Sequence, residues 1–337
     1  MLRMWLLLPV LMMGVLSFSQ PVHARSPADL PVADFFRRPM LQSPTLSPDG
    51  TRVAMIVPGP DGRTVLAVAD VSAPDKRTGI ARFSDADVQR VWWVNDKRLL
   101  FNAIDYQSAL GEQFGGGLYA VNADGSDFVW LVGRGALDES KGHVANRPLR
   151  WNHRLLKTLR DGSDDILVER LSVFGNDPDF LSSVPLRLNT QTRATQTLVQ
   201  DAPRNAAQWA LDPKGEPLSV LSAERSSGVA KVWWRATANA PWTEVSSYDI
   251  HDPASLGLQP IAVAADGQLF VRALRQDAAR TAALYRYDPR ARQLSAQPIL
   301  ALKDFDFDGS SLIFDRAGAL VGAQYNSDAV GVACSLP

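Results

Sequence analysis

Leu46-Ser47-Pro48-Asp49-Gly50-Thr51-Arg52-Val53-Ala54-Met55-Ile56 is a polar turn that opens into an apolar run. The same pattern returns as Val94-Asn95-Asp96-Lys97-Arg98-Leu99-Leu100-Phe101 and as Arg160-Asp161-Gly162-Ser163-Asp164-Asp165-Ile166-Leu167-Val168. Later copies begin at Asp212-Pro213-Lys214-Gly215, at Ala265-Asp266-Gly267 and at Arg316-Ala317-Gly318. The turns centre on residues 49, 96, 161, 214, 266 and 317, so the spacings are 47, 65, 53, 52 and 51. A period of this size describes repeated units that cannot bury their own faces and must pack on one another.

A second pattern lies between the copies of the first. Val65-Leu66-Ala67-Val68-Ala69-Asp70, Gly117-Leu118-Tyr119-Ala120-Val121-Asn122, Val184-Pro185-Leu186-Arg187-Leu188-Asn189, Lys231-Val232-Trp233-Trp234-Arg235 and Ala283-Leu284-Tyr285-Arg286-Tyr287-Asp288 are short apolar-rich runs that end in turn residues. Runs of this kind bounded by Asp, Asn, Gly and Pro are strand and hairpin signals. Two hairpins per unit make four strands, and the fold class predicted is an all-β propeller of four-stranded blades. A stacked β-solenoid is the alternative, and its repeats are much shorter. Blades are expected over residues 46–83, 91–132, 150–200, 207–246 and 260–300. A sixth starts at Phe305-Asp306-Phe307-Asp308-Gly309 and runs through Leu320 to Tyr325, with no second hairpin read after it. The expectation is therefore about five complete blades and a truncated sixth, in a chain cut short or frame-shifted. An unpaired edge is expected near Tyr325, unless the lead-in around Met40-Leu41 adds a strand and closes the ring.

The N-terminus carries Arg3, an apolar run from Trp5 to Phe18, and Val22-His23-Ala24 before Arg25. This is the layout of a cleavable secretory signal over residues 1–24. Its apolar run is shorter than the ~20 residues of a membrane-spanning helix. Residues 25–45 are then a lead-in and 46–337 the propeller. Removing the signal deletes one of 35 basic residues and none of 36 acidic ones, for a mature formal charge of −2. That balance, with no basic cluster, argues against nucleic acid or an anionic membrane as partner. The single cysteine, Cys334, has no internal partner for a disulfide. Export without a disulfide framework suits a large periplasmic domain.

No catalytic, cofactor-binding or metal-binding residue is assigned. An α/β-hydrolase nucleophile needs Gly-x-Ser-x-Gly on a strand-to-helix elbow. The nearest stretch, Gly309-Ser310-Ser311-Leu312-Ile313, lacks the second glycine and reads as a blade turn. His143, His153 and His251 are scattered, with no paired-histidine spacing. Gly115-Gly116-Gly117 precedes a strand and not a helix, so it has no phosphate-binding context. Asp164-Asp165 and Asp304, Asp306 and Asp308 are conceivable calcium ligands, but Asp306 and Asp308 alternate with Phe305 and Phe307 as in an ordinary strand. Trp92-Trp93 and Trp233-Trp234 sit at strand positions where packing between blades is expected.

Asp34-Phe35-Phe36-Arg37-Arg38-Pro39, followed by the Leu46–Ala54 turn, resembles the start of the propeller in exported bacterial members of the prolyl oligopeptidase family, of the dipeptidyl aminopeptidase and acylaminoacyl peptidase-like branch. The stretch from Phe305 to Asp328 is similar to a late blade there. The resemblance spans essentially the whole mature chain. It implies a partner for this propeller, a C-terminal α/β-hydrolase domain with Ser, Asp and His, which this chain lacks; no catalytic residue is carried over. Two readings follow. The chain is the substrate-gating propeller of a periplasmic serine peptidase, admitting only short peptides. Alternatively, it is a free-standing periplasmic TolB-like propeller for protein contacts. A propeller enzyme with its own metal or cofactor site is disfavoured by the lack of a ligand cluster.

Overall fold

The computed structural model describes residues 31–32, 39–106, 116–135, 147–172, 182–224, 226–309 and 311–334. Two compact units are present, Met1–Pro39 and Met40–Pro337, and every sheet belongs to the second. The expected signal over residues 1–24 and most of the lead-in, including Asp34 to Arg38, lie outside the described residues.

Among the described residues the sheets are antiparallel and follow chain order. Sheet 1 is β1 (Gln42–Leu46), β2 (Arg52–Pro58), β3 (Thr64–Asp70) and β4 (Thr78–Ala81). Sheet 2 is β5 (Asp87–Trp93), β6 (Arg98–Ile104), β7 (Leu118–Asn122) and β8 (Val129–Val132). Sheet 3 is β9 (His153–Thr158), β10 (Asp165–Leu171), β11 (Ser183–Asn189) and β12 (Thr195–Thr197). Sheet 4 is β13 (Ala206–Leu211), β14 (Pro217–Glu224), β15 (Val229–Trp234) and β16 (Thr243–Asp249). Sheet 5 is β17 (Gln259–Val263), β18 (Leu269–Leu274), β19 (Ala282–Asp288) and β20 (Gln293–Leu294). A single parallel pairing, Leu211 with Ala262, joins the first strands of sheets 4 and 5. Sheet 6 has three strands, β21 (Ser311–Phe314), β22 (Leu320–Asn326) and β23 (Val330–Cys334). This is the propeller arrangement read from the repeat.

The recurring turns fold as their residue types dictate. In Ser47-Pro48-Asp49-Gly50, the Gly50 amide donates to the Ser47 carbonyl and Gly50 sits at φ +74°. That is the left-handed region in which a Cβ is penalised. Asp49 Oδ1 accepts from the Ser47 hydroxyl and from the Thr51 amide. The Ser47 hydroxyl first, and then the Thr51 amide, hold its carboxyl below the ordinary range. Asp124-Gly125-Ser126 repeats the geometry. Four hydrogen-bonded links connect successive units near their turns. The Asp49 amide donates to Asp96, Asn95 to Ser163 and Asp164, Lys157 to the Asp212 carbonyl, and the Ala265 amide to the Gly318 carbonyl.

The core lies between sheets. Leu66 and Val68 of sheet 1 meet Leu99 and Phe101 of sheet 2; Leu100 and Ala120 turn the other way to meet Ile166 and Val168 of sheet 3. Leu167 then packs with Trp209 and Val220 of sheet 4, and Val232 with Val271 and Tyr285 of sheet 5. Phe270 and Leu284 of sheet 5 pack against Phe307 and Ala323 of sheet 6. Successive side chains in a strand point to opposite faces, so inner sheets are apolar on both. Two buried polar side chains in these layers are held by hydrogen bonds between sheets. Arg98, 1% exposed, donates to Thr190 Oγ1 and the Thr190 carbonyl, and to Asn122 Oδ1, tying sheet 2 to the end of β11. Asp87, fully buried, accepts the Thr64 amide and an Arg63 Nη1 bond of 2.9 Å.

Two expectations about the ends are corrected. Sheet 6 has a third strand beyond the hairpin read from the sequence, since β23 pairs along β22 with Tyr325 opposite Gly331, and no fourth among the described residues. Among the described residues the strand without an outer partner is therefore Val330–Cys334 and not the one carrying Tyr325. It is reached through the Asn326-Ser327-Asp328-Ala329 turn, in which the Ser327 amide donates to the Ala329 carbonyl. The lead-in adds no strand to sheet 6. Chain from Gln42 pairs with β2 in sheet 1, so the first blade begins four residues before Leu46, and Met40 and Leu41 are exposed.

Replacing Arg98 by Met keeps the apolar stem and leaves the Thr190 and Asn122 acceptors unpaired. Stability is expected to fall by about 2–3 kcal/mol in urea titration, with Lys restoring part of the loss. Tyr248, on the outer strand of sheet 4, donates its hydroxyl to the Leu258 carbonyl at the start of sheet 5. Burial pushes its phenol up to about 12. The unfolded chain ionises this group first, near pH 10, so its contribution is complete below about pH 10 and is lost as pH rises towards about 12. Tyr248→Phe is expected to flatten that alkaline decline in the urea midpoint.

Candidate functional site

The residues singled out in the sequence do not converge. His153 opens β9, with Nδ1 3.0 Å from the Arg150 carbonyl oxygen, and burial lowers its pKa. His251 is exposed after β16, and His143 lies outside the described residues. Gly309 is a turn residue at φ +76° and Ser311 is an exposed residue starting β21; Ser310 lies outside the described residues. Gly116 and Gly117 lead into β7, where the Gly116 carbonyl accepts from the Ala103 amide and extends the β6–β7 ladder; Gly115 lies outside the described residues. Among the described residues no group of three His, Cys, Asp or Glu side chains comes together as a metal site.

The acidic residues are engaged in the fold. Asp164 accepts from Asn95 and Asp165 from Asn189. Asp306 accepts the Ala282 amide at 2.6 Å, the same service that Asp87 performs for Thr64 one end of the array away. Asp308 accepts from Asn326, and Asp304 lies in the turn before β21 at φ 62°. The tryptophan pairs pack between sheets. Trp93 donates to the Thr45 carbonyl of sheet 1 while Trp92 lies against the sheet 2–3 core. Trp233 joins the sheet 3–4 core and donates to Ser222, and Trp234 joins the sheet 4–5 core.

Two surfaces remain. A depression of about 310 Å³ on sheet 5 is lined by Gln268, Arg286, Asp288, Gln293 and Ser295. Arg286 and Asp288 follow Leu284 at two-residue steps and share its face, the one turned to sheet 6. The second surface is the face of sheet 6 turned away from sheet 5. Leu312, Phe314 and Ala323 point inward to the shared core, and the alternate residues point out. On that outer face Ile313, Val330 and Val332 are 39%, 66% and 54% exposed, with Ser311, Gln324 and Asn326 among them. No backbone pairing among the described residues joins sheet 6 to sheet 1. The far face of sheet 1 is instead a small buried cluster of Met55, Val57, Ala67 and Ala69. Sequence reading placed an open end here but not the exposed valines of β23.

No protein-family model matches the chain. No curated protein matches it. Solved structures do. An oligogalacturonate lyase in complex with manganese is 13% identical over 89% of this chain and 78% of that one, with a TM-score of 0.52. Acylaminoacyl peptidase of Pyrococcus horikoshii is 12% identical over 88% of this chain and 43% of that one, at TM-score 0.47. TolB of Acinetobacter baumannii is 16% identical over 77% and 55%, at TM-score 0.37. Propeller domains of prolyl oligopeptidase-family peptidases are thus among the structural neighbours. The chain spans about half the length of the TolB and acylaminoacyl peptidase chains. At these identities the likeness is one of fold. No helix among the described residues is long and apolar enough to cross a membrane.

The exposed apolar row on sheet 6 is expected to bind a hydrophobic fluorescent dye. Ile313→Thr with Val330→Thr should lower dye fluorescence and change stability by no more than about 0.5 kcal/mol per site, as at other exposed positions.

Proposed function

We propose that this chain is the non-catalytic, substrate-gating propeller region of a periplasmic serine peptidase, exported by the signal over residues 1–24 and inactive alone. The carrying observation is the uncovered apolar face of sheet 6. A free-standing propeller protects its ends by closing its ring, whereas a propeller that serves a larger body keeps a surface for it. The resemblance of Asp34–Pro39 and Leu46–Ala54 to the prolyl oligopeptidase family supplies the chemistry of that body, an α/β-hydrolase domain. The propeller's task is then steric, limiting access to short peptides, and it needs no nucleophile of its own.

The purified chain is expected to release no chromophore from aminoacyl or acyl-ester substrates. Release that a serine-directed phosphonate abolishes would overturn the reading. The DNA following the codon for Pro337, read in three frames, should encode a Gly-x-Ser-x-Gly strand-turn-helix segment; its absence favours the TolB-like interaction module.

A further inference from the structure

The geometry points to a carboxylate-binding seat at Arg235, closed by the side chain of Asp201. Arg235 directly follows β15 and is 3% exposed. Its Nε donates to the Pro217 carbonyl at 2.8 Å and its Nη1 to the Ala238 carbonyl, while its Nη2 is buried with no acceptor. The guanidinium lies over the Trp242 ring, with Cζ 4.4 Å from the ring centroid, and Trp242 stands edge-on to Trp209. The indole N–H of Trp242 is a second buried donor with no acceptor. Among the described residues these are the two buried side-chain nitrogens left so, and they belong to one stack.

The seat holds a cation against neutral acceptors only. Two carbonyls take Nε and Nη1, and the nearest carboxylate, Asp201 Oδ1, stands 4.0 Å from Nη1 on a side chain that is 66% exposed. A hydrogen bond of this kind forms near 2.9 Å, so Asp201 is about 1 Å short of closing it. Burial works against the charged guanidinium, and Asp201 and then Glu216 favour it. Asp201 lies on residues 198–205, which connect β12 to β13. The Leu198 amide donates to the Pro185 carbonyl and the Ala206 amide to the Pro203 carbonyl, and Val199 and Ala202 join the core between sheets 3 and 4. With the backbone held at both ends, closure takes a change of side-chain rotamer, which moves an Asp oxygen farther than the distance required. A carboxylate set end-on to the guanidinium accepts one N–H from Nη1 and one from Nη2 and leaves the Pro217 and Ala238 bonds in place. This two-oxygen fit across the fork makes the ligand a carboxylate. Closed, the seat ties the connection leaving sheet 3 to the β15–β16 hairpin of sheet 4. The proposal is independent of the peptidase reading, since it uses neither sheet 6 nor a catalytic domain.

The same chemistry could come from the chain or from solution, and chemical rescue separates the two. In the full chain, Asp201→Ala is expected to lower the folding equilibrium constant by about tenfold in urea titration. Sodium formate should restore it, by about tenfold at ten times its dissociation constant. Sodium chloride at equal ionic strength should not, and formate should do no more than chloride for the parent, whose seat Asp201 fills. In an Arg235→Met background both effects should vanish, as required of two groups that act only on one another. The indole N–H resonance of Trp242 gives a reading that needs no arginine variant: it should shift on Asp201→Ala and return with formate. Unchanged stability of Asp201→Ala, equal rescue by chloride, or an indole resonance that ignores both changes would each overturn the proposal. An equal response of the parent to formate would also overturn it, by making a free carboxylate and not Asp201 the occupant.

Discussion

Burial of a sheet on both faces is the constraint on which this structure depends. Sheets 2 to 5 each share one core with the sheet before and another with the sheet after. Leu99, Leu100 and Phe101 show the consequence within three residues. The outer two serve the sheet 1 side, the middle one serves the sheet 3 side, and all three are completely buried. No single sheet has an inside of its own, so each unit is stable only through its neighbours. The same constraint dictates what polar groups do in the layers. A buried guanidinium without acceptors is far too costly to keep, and Arg98 meets this by spanning from β6 to Thr190 with a full set of partners.

Sheet 6 is where the constraint is only half met. Its inner face completes the core begun by Phe270 and Leu284, but its outer face exposes aliphatic side chains in the rows that would hold a further core. Scattered exposed aliphatics are ordinary on a protein surface. Here Ile313, Val330 and Val332 are grouped on one face of one sheet, beside a strand with no outer partner among the described residues, a grouping that marks an interaction surface. Sheet 1 differs: Met55, Val57, Ala67 and Ala69 on its far face are buried. The two ends are therefore not equivalent, and among the described residues no strand pairing joins sheets 1 and 6.

The architecture was legible because its signals are local and repeat. Asp-Gly turns at regular spacing, followed by runs such as Val53–Val57 and Leu269–Val271, mark the first hairpin of each blade. The runs before Asp70, Asn122, Asn189 and Asp288 mark the second. What escaped was weaker locally. β1 is Gln42-Ser43-Pro44-Thr45-Leu46, with a proline and a residue at positive φ, and its register is interrupted between Gln42 and Thr45. It becomes a strand because β2 offers it a partner, which composition does not show. β23 follows Ser327-Asp328, with no glycine to announce a hairpin, and Gly331 and Ala333 blunt its apolar alternation. Arg98 was equally hidden. Beside Lys97 it reads as the polar end of a turn, and only the fold reveals that it points inward.

The carboxylates show why an inventory of reactive groups says little here about function. A turn that must pass from one strand to the next in a few residues needs a side-chain acceptor for its exposed amides, and Asp supplies one at the shortest length. Asp49, Asp124, Asp161 and Asp266 are used in this way. Asp87 and Asp306 use the same chemistry between blades, each capping the amide that starts the third strand of the preceding sheet. Asp164, Asp165, Asp306 and Asp308, the acids that looked like ligands, each accept a hydrogen bond within the fold. An uncovered apolar grouping lies on sheet 6. That grouping is what the proposed role as the propeller of a larger peptidase makes use of.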